Sequence, residues 1–145
     1  MTDRITKKMV IENLKKDTYA RLGCTKYGVG LIAIKPIPPG SDIFKTPISK
    51  CKSEKFILLS AKEMKRLPKI IRDFVYDFGA TKGGPLSKSG PAVVPLMGLN
   101  TLDQSNYFNH SDKPNCKAIM DPKCFMRFTS LRKIKPGEEL TYKYA

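Results

Sequence analysis

Two short stretches near opposite ends of the chain repeat one pattern, and this repeat constrains the fold more than any other feature. Residues 33–43 and 130–140 each place an apolar segment before a Pro-Gly pair and another apolar residue after it. Proline fixes φ and glycine accepts positive φ, so the pair suits the two central positions of a type II turn. We therefore predict two similar hairpin elements, a small β-rich fold, and chain ends that meet in space.

A Gly-x-Gly sequence, Gly28-Val29-Gly30, opens an apolar and β-branched run that ends at Ile34. Glycine allows positive φ and lets another backbone or a ligand come close. An ordinary hairpin turn explains the pattern when it stands alone. It is not a dinucleotide-binding fingerprint, because neither a third glycine nor a helix follows.

The helical pattern lies in the middle of the chain. Residues 60–63 predict a capping box, and Pro68 suits the first turn of a second helix. Four apolar residues at helical spacing follow before Gly79, and we assign them to the core: Ile71, Phe74, Val75 and Phe78. Gly79 is predicted to be the C-cap, and residues 79–91, rich in glycine and proline, predict a loop.

Short strands account for much of the remaining chain. Residues 9–11 predict an opening strand, residues 93–97 restart a strand after the loop, and residues 124–128 alternate with a period of two. The predicted fold is therefore mainly β, with a small helical insert.

The stretch 106–115, Asn-Tyr-Phe-Asn-His-Ser-Asp-Lys-Pro-Asn, contains the single histidine of the chain. Turn-forming residues around two aromatics predict a strand that runs into a tight loop. Taken alone, such a stretch is more often a hydrogen-bonded loop than a functional site. A second stretch, residues 137–144, reads Gly-Glu-Glu-Leu-Thr-Tyr-Lys-Tyr and changes that interpretation.

Together the two stretches resemble the paired signature of SET-domain protein lysine methyltransferases, Asn-His-Ser-x-x-x-Pro-Asn followed by Gly-Glu-Glu-Leu-x-Tyr-x-Tyr. The resemblance extends from about Tyr27 to Tyr144, and with the Gly-x-Gly sequence three motifs stand in the family's order. It implies short β-sheets with a C-terminal pseudoknot. Because 145 residues suffice for one compact domain, we expect a single SET domain over residues 1–145, with an N-terminal flank (1–26), a helical insert with its loop (54–91), and a cofactor and catalytic half (92–145).

The resemblance further implies a cofactor, S-adenosyl-L-methionine, and the residues that bind it. Gly28, Val29 and Gly30 occupy the place that cradles the methionine moiety. Asn109 and His110 match the pair that holds the adenine end and helps to form the pseudoknot. A structural zinc site has no ligand spacing to support it, so we expect no metal ion.

The channel in which the methyl group is transferred would involve three tyrosines. Two of them match channel positions of the family, and the third could line the channel. Tyr144 matches the catalytic tyrosine, Tyr142 matches the position that limits the number of methyl groups added, and Tyr107 could supply a further wall. Because a free lysine is protonated at pH 7, exposing its lone pair costs about 4–5 kcal/mol. A narrow aromatic channel beside a cationic cofactor disfavours the ammonium form. A general-base role for His110 is the competing interpretation, and the resemblance instead assigns this histidine to the cofactor.

Several positions depart from the pattern of histone-modifying members. Asn106 and Asp112 stand where those proteins often have an arginine and a zinc-binding cysteine, and Thr46-Pro47-Ile48 replaces a Glu-Tyr-x-Gly string. The chain ends at Ala145 without a cysteine-rich segment. Its four cysteines form no C-x-x-C pair, so we expect reduced, mostly buried thiols. These departures oppose histone specificity more than they oppose catalysis.

The formal net charge of +14 over 145 residues is the unusual feature of the composition. Such a surface attracts polyanions or keeps the protein soluble. The expected partner is a protein that carries the target lysine, which includes histones, and nucleic acid could dock near the insert lysines, Lys62, Lys65 and Lys69. The alternative is an inactive basic SET-fold module that binds nucleic acid or a ribonucleoprotein. Without a secretion signal or an apolar run near ~20 residues, we expect an intracellular protein, nuclear or cytoplasmic.

Overall fold

The computed structural model describes residues 4–48, 56–78, 80–81, 88–96, 98–121 and 125–144. The chain divides into two compact units. The first combines Met1–Ser53 with Phe108–Lys143, and the second combines Glu54–Tyr107 with Tyr144–Ala145. Each unit has a hydrophobic core of its own.

Short strands outnumber helices in the described part of the chain. In chain order the helices and strands are α1 (Lys7–Lys16), β1 (Ala20–Thr25), β2 (Gly28–Ala33), β3 (Phe56–Leu59), α2 (Ala61–Lys65), α3 (Lys69–Phe78), β4 (Ala80–Thr81), β5 (Ala92–Pro95), β6 (Asn109–His110), β7 (Cys116–Asp121), β8 (Phe125–Ser130) and β9 (Glu139–Tyr142). Two 3-10 turns, Leu99–Thr101 and Gln104–Tyr107, lie between β5 and β6. The predicted mainly β fold with a small helical insert is confirmed.

The last strand of the first unit is enclosed by earlier segments of the chain. One sheet has the order β1-β2-β9-β6, and β7 pairs with β8. Strand β9 is antiparallel to β2 and parallel to β6. The C-terminal segment therefore runs between two strands that precede it, as the expected pseudoknot requires.

Both Pro-Gly turns of the repeat form as predicted. Gly40 and Gly137 have φ values of 75° and 89°, which glycine tolerates best. In each turn a backbone N–H bonds to the carbonyl three residues earlier, from Ser41 at 3.3 Å and from Glu138 at 3.1 Å. The type II prediction is consistent with both observations.

The two copies of the repeat interlock, whereas the sequence predicted two separate hairpins. Ile37 and Ile134 form an antiparallel bridge and exchange both backbone hydrogen bonds, at 2.9 and 3.0 Å. Each turn glycine also donates to the first residue of the other copy, at 2.9 and 2.8 Å. Backbone groups of each copy are thus satisfied by the other copy.

The interlocked repeat supplies much of the core of the first unit. Ile37 and Ile134 are fully buried, as are Leu31 and Leu140 of the neighbouring strands. Burying an aliphatic side chain of this size contributes about 1.5–3 kcal/mol. The two copies of the repeat therefore meet, while the terminal residues 1–3 and 145 lie outside the described part of the chain.

The predicted opening strand at residues 9–11 is wrong, because these residues belong to α1. The Thr6 hydroxyl caps the helix by accepting from the Met9 backbone N–H at 3.2 Å. At the other end, the Lys35 ammonium donates to the carbonyls of Lys15 and Lys16 at 3.0 and 2.6 Å. Capping at both ends outweighs the strand preference of the pair Val10-Ile11, since β propensity depends strongly on context.

The insert follows its prediction in part. Ser60 and Glu63 form the expected capping box, and α3 follows Pro68. Val75 is buried, but Ile71 and Phe74 are 44% and 40% exposed, so the predicted core stripe is only partly correct. Gly79 and residues 82–87 lie outside the described residues, and Ala80–Thr81 pairs with β5 where a loop was predicted.

The segment before the histidine also differs from its prediction. A 3-10 turn over Gln104–Tyr107 precedes the two-residue strand β6, where a longer strand was expected. The Asn106 side chain accepts from the Asp103 backbone N–H and the Asp103 carboxylate accepts from the Ser105 backbone N–H, and both bonds stabilise that turn. None of the described helices has the length and apolar character needed to cross a membrane.

Candidate active site

The β1–β2 hairpin carries the Gly-x-Gly sequence at the start of its second strand. Thr25 and Gly28 lie opposite each other at its tip. The Thr25 hydroxyl donates to the Gly28 carbonyl at 2.9 Å and accepts from the Tyr27 backbone N–H at 3.1 Å. Gly28 has a φ of 102°, which side-chain-bearing residues rarely adopt. No described atom outside its chain neighbours lies within 4 Å of where a Cβ would stand on Gly28.

Gly30 is constrained by space. A Cβ on this buried residue would lie 2.6 Å from Glu139 Oε2, and 2.7 Å from both Asn109 Nδ2 and Thr25 Cγ2. The sequence predicted that these glycines admit another backbone or a ligand. At Gly30, side chains from β1, β6 and β9 use the space instead.

Asn109 joins β6 to the hairpin. Its side-chain Nδ2 donates to Glu139 Oε2 at 2.7 Å and to the Val29 carbonyl at 3.3 Å. The Thr25 hydroxyl lies 3.4 Å from the same nitrogen. The structure therefore brings Asn109 together with Gly-x-Gly, two of the motifs that the sequence proposed for one site.

His110 lies beside Asn109 and opposite Tyr142 in the parallel register of β6 and β9. Its Nε2 is 3.2 Å from Asp112 Oδ1, so a neighbouring carboxylate orients the ring. The Ser111 backbone N–H donates to the Tyr142 carbonyl at 3.1 Å. The loop after the histidine thus contacts the strand that carries one of the predicted channel tyrosines.

Asn115 fixes the last strand, a role that sequence reasoning missed. This buried side chain donates through Nδ2 to the Glu139 carbonyl at 2.8 Å and accepts from the Thr141 N–H at 2.9 Å. A side-chain amide can replace a neighbouring backbone strand in this way because it carries one donor and one acceptor. The asparagine at the end of the motif was visible in the sequence, but its partners lie on another element.

Tyr142 belongs to an aromatic cluster in the first unit. Its ring meets Phe108 and Phe128 in edge-to-face contacts at centroid distances of 5.5 and 5.3 Å. Phe108 and Phe128 stack at 4.5 Å, and Phe44 meets both of them edge-on. Tyr142 is therefore held firmly by packing.

Tyr107 and Tyr144 belong to the second unit. Tyr107 ends a 3-10 turn, Tyr144 follows β9, and both are half-buried. Their roles at the channel stay predictions.

The expectation of mostly buried thiols is only partly met among the described cysteines. Cys116 is buried and Cys24 is exposed, while Cys51 and Cys124 lie outside the described residues. Burial raises the pKa of the Cys116 thiol to about 12, so it stays protonated at neutral pH. Within the described part of the chain no cluster of three or more His, Cys, Asp or Glu side chains could hold a metal ion.

Comparisons with known proteins identify the family. Residues 28–145 match the SET domain. The chain belongs to the SET-domain family. A solved structure with a similar fold is that of a Plasmodium falciparum "putative histone methyltransferase", with a TM-score of 0.54 and 16% identity over 88% of this chain and 94% of that one. At this identity the likeness concerns the fold alone. No curated protein matches the chain.

Two departures from the pattern of histone-modifying members have local structural roles. Asn106 accepts a hydrogen bond from the Asp103 backbone N–H at 3.1 Å, which closes the 3-10 turn. Asp112, where a zinc-binding cysteine often stands, is exposed and contacts His110. Both positions therefore serve their own loop in this SET domain.

Proposed function

We propose that this SET-domain protein transfers a methyl group from S-adenosyl-L-methionine to a lysine side chain of a protein substrate. The observation that carries the proposal is the hydrogen-bonded contact between Asn109 and the Gly-x-Gly strand, at 3.3 Å from Nδ2 to the Val29 carbonyl. Two motifs that lie far apart in sequence thereby share one surface of the sheet. The family resemblance connects both motifs with the cofactor.

The residues around this contact suit the proposed cofactor. Gly28, Val29 and Gly30 would hold its methionine moiety, and Asn109 and His110 would hold its adenine end. Val29 is 48% exposed and Gly28 faces open space among the described atoms, so the strand is open to a ligand there. When bound, the cofactor supplies an electrophilic methyl group, which the lysine nitrogen takes with its lone pair while the sulfur keeps the electrons of the broken C–S bond.

The aromatic residues would favour the neutral amine that this reaction needs. Tyr142 is fixed by Phe108 and Phe128, so its ring offers a rigid apolar wall. Desolvation by such a wall lowers the pKa of a lysine, because it disfavours the charged form. The family resemblance assigns the catalytic role to Tyr144 and allows Tyr107 a place at the channel, where a tyrosine hydroxyl would orient the lone pair toward the methyl carbon.

Titration calorimetry with S-adenosyl-L-methionine tests the proposal. We expect saturable one-to-one heat for the wild-type chain, and clearly weaker binding for Asn109→Ala and His110→Ala. Incubation with a cell extract and radiolabelled cofactor should then label lysine in a protein band. Absence of heat with a correctly folded chain would favour the inactive binding module instead.

The distribution of charge supports a second activity, docking on nucleic acid. The first unit has nineteen lysines and arginines against eight acidic residues, whereas the second has eight against five. The excess therefore lies mainly in the first unit, although the sequence suggested the insert lysines. One of these, Lys69, is neutralised by Asp73 at 2.9 Å. Docking would leave the methyl-transfer proposal intact.

The substrate class follows from the same charge. A free histone tail is basic and would be repelled by a net charge of +14. We therefore propose either a substrate already bound to nucleic acid, which includes histones, or an acidic or neutral protein. Either would be met in the nucleus or the cytoplasm.

A further inference from the structure

Glu139 stands at the centre of the site without a cationic partner in the described part of the chain. This half-buried carboxylate lies 2.7 Å from Asn109 Nδ2. The preceding residue, Glu138, differs: it receives two bonds from Arg132, at 3.2 and 3.3 Å, on the surface. Two adjacent glutamates thus have different partners, and only Glu139 faces the Gly-x-Gly strand.

The surroundings of Asn109 Nδ2 determine which way its amide points. The nitrogen faces three oxygens: Glu139 Oε2, the Val29 carbonyl and the Thr25 hydroxyl. Thr25 already uses its only proton on the Gly28 carbonyl, so toward Asn109 it can only accept. A flipped amide would place its oxygen against these acceptors, with the carboxylate nearest, and would be repelled.

The orientation of the amide leaves the other atom, Asn109 Oδ1, directed away from this cluster. Among the described residues no donor bonds to it. This oxygen is an acceptor with no protein donor among the described residues, so it is available to a donor group of a ligand.

We propose that Glu139 is a positioning residue that orients Asn109 to accept a hydrogen bond from an N–H donor of the bound cofactor. The inference rests on the proposed function for the identity of the ligand. Gly30 is needed for the same arrangement, since any larger residue would occupy the space in which the side chains of Glu139 and Asn109 meet. Glu139 acts through Asn109 and makes no contact with the reacting atoms.

A double-mutant cycle measured by calorimetry tests this role. The variants are Glu139→Ala, Asn109→Ala and the pair, with Glu138→Ala as the matched control. We expect Glu139→Ala to weaken S-adenosyl-L-methionine binding about tenfold, as for one lost charged hydrogen bond. In the Asn109→Ala background the same change should have little further effect. Glu139→Gln keeps an acceptor and should recover most of the affinity, while Glu138→Ala should bind as the wild type does.

A second measurement reads the orientation without the cofactor. In the wild type, the Asn109 side-chain NH₂ protons should exchange slowly in NMR spectra, and Glu139→Ala should accelerate that exchange. Additive losses in the cycle, or fast exchange in the wild type, would overturn the positioning role. A wild type that shows slow exchange but binds no cofactor would contradict the proposed function and leave the orientation of Asn109 supported.

Discussion

Gly28 and Gly30 are two residues apart, yet an added methyl group would meet a different obstacle at each. At Gly30 it would displace Glu139 and Asn109, so Gly30→Ala should weaken cofactor binding by about tenfold, the effect of one lost charged hydrogen bond. At Gly28 there is space, and the cost of about 1–2 kcal/mol comes from the backbone. Gly28→Ala should thus lower the unfolding free energy more than the affinity of the folded protein. Calorimetry and denaturant unfolding of both variants separate the two effects, and identical behaviour would refute the distinction.

Tyr144 is the residue to which the family resemblance gives the catalytic role. Tyr144→Phe should lower methyl transfer at least tenfold, because a well-placed group in the transition state supplies several kcal/mol. Single-turnover assays with labelled cofactor measure the effect. Tyr27→Phe, at an exposed position of the hairpin tip, is the matched control and should keep full activity. Wild-type turnover in the Tyr144 variant would remove this tyrosine from the mechanism.

At this scale the sequence motifs pointed to residues of which the structure brings Asn109 and the Gly-x-Gly strand together, but they did not show the different constraints on the two glycines. Gly28, Gly30, Asn109 and His110 were all named from motifs. The constraint on Gly30 depends on Glu139, which lies more than a hundred residues along the chain, whereas that on Gly28 is its backbone conformation. Such a contact has no local signature, so only the folded chain distinguishes them.

Among the helices, strands and turns, the sequence predicted correctly those local features whose two hydrogen-bonding partners lie within a few residues of each other. The capping box of α2 and the Pro-Gly turns involve residues three apart, and both formed as predicted. Helix α1 was missed although its N-cap, Thr6, is local, and its C-terminal carbonyls are bound by the distant Lys35. Strand propensity at Val10 and Ile11 was read without that distant contact.

Along one edge of strand β9, two backbone groups are hydrogen-bonded by the side chain of Asn115. Asn115→Ala would leave the Glu139 carbonyl and the Thr141 N–H without their partner in a part-buried position. We expect a loss of about 2–4 kcal/mol of unfolding free energy, since each unsatisfied group costs about 1–3 kcal/mol. Denaturant titration measures it. Asn100→Ala, at an exposed position of a 3-10 turn, should change stability by less than about 0.5 kcal/mol, and an equal loss in both variants would contradict the role of Asn115.

For the whole molecule, the internal repeat predicted a β-rich fold whose ends meet. What it could not predict is that the two copies exchange their hydrogen bonds through Ile37 and Ile134. The same sequence pattern allows each copy of the repeat to pair within itself or with the other copy. The choice depends on which arrangement buries the most apolar surface. Here the cross-paired arrangement places both isoleucines fully inside.

The net charge leads to the last prediction. If the first unit docks on nucleic acid, methylation of a nucleic-acid-bound substrate should fall steeply as salt rises, because each neutralised phosphate releases counterions. On a free protein substrate the dependence should be weak, since exposed charges are screened beyond about 8–10 Å. Lys133 and Lys135 flank the buried Ile134 in the first unit and are exposed. Replacing both with glutamine should lower the salt slope by about two, as expected for two lost phosphate contacts.

The matched control replaces Lys62 and Lys65, which lie on α2 in the second unit. That pair should leave the salt slope nearly unchanged, because the charge excess of the second unit is small. Activity across a salt series on bare and nucleic-acid-bound substrate provides the measurement. Equal effects of the two pairs would show that docking does not distinguish the units. A flat response on both substrates would mean that the positive charge acts only on solubility, since an electrostatic complex with nucleic acid cannot be insensitive to salt.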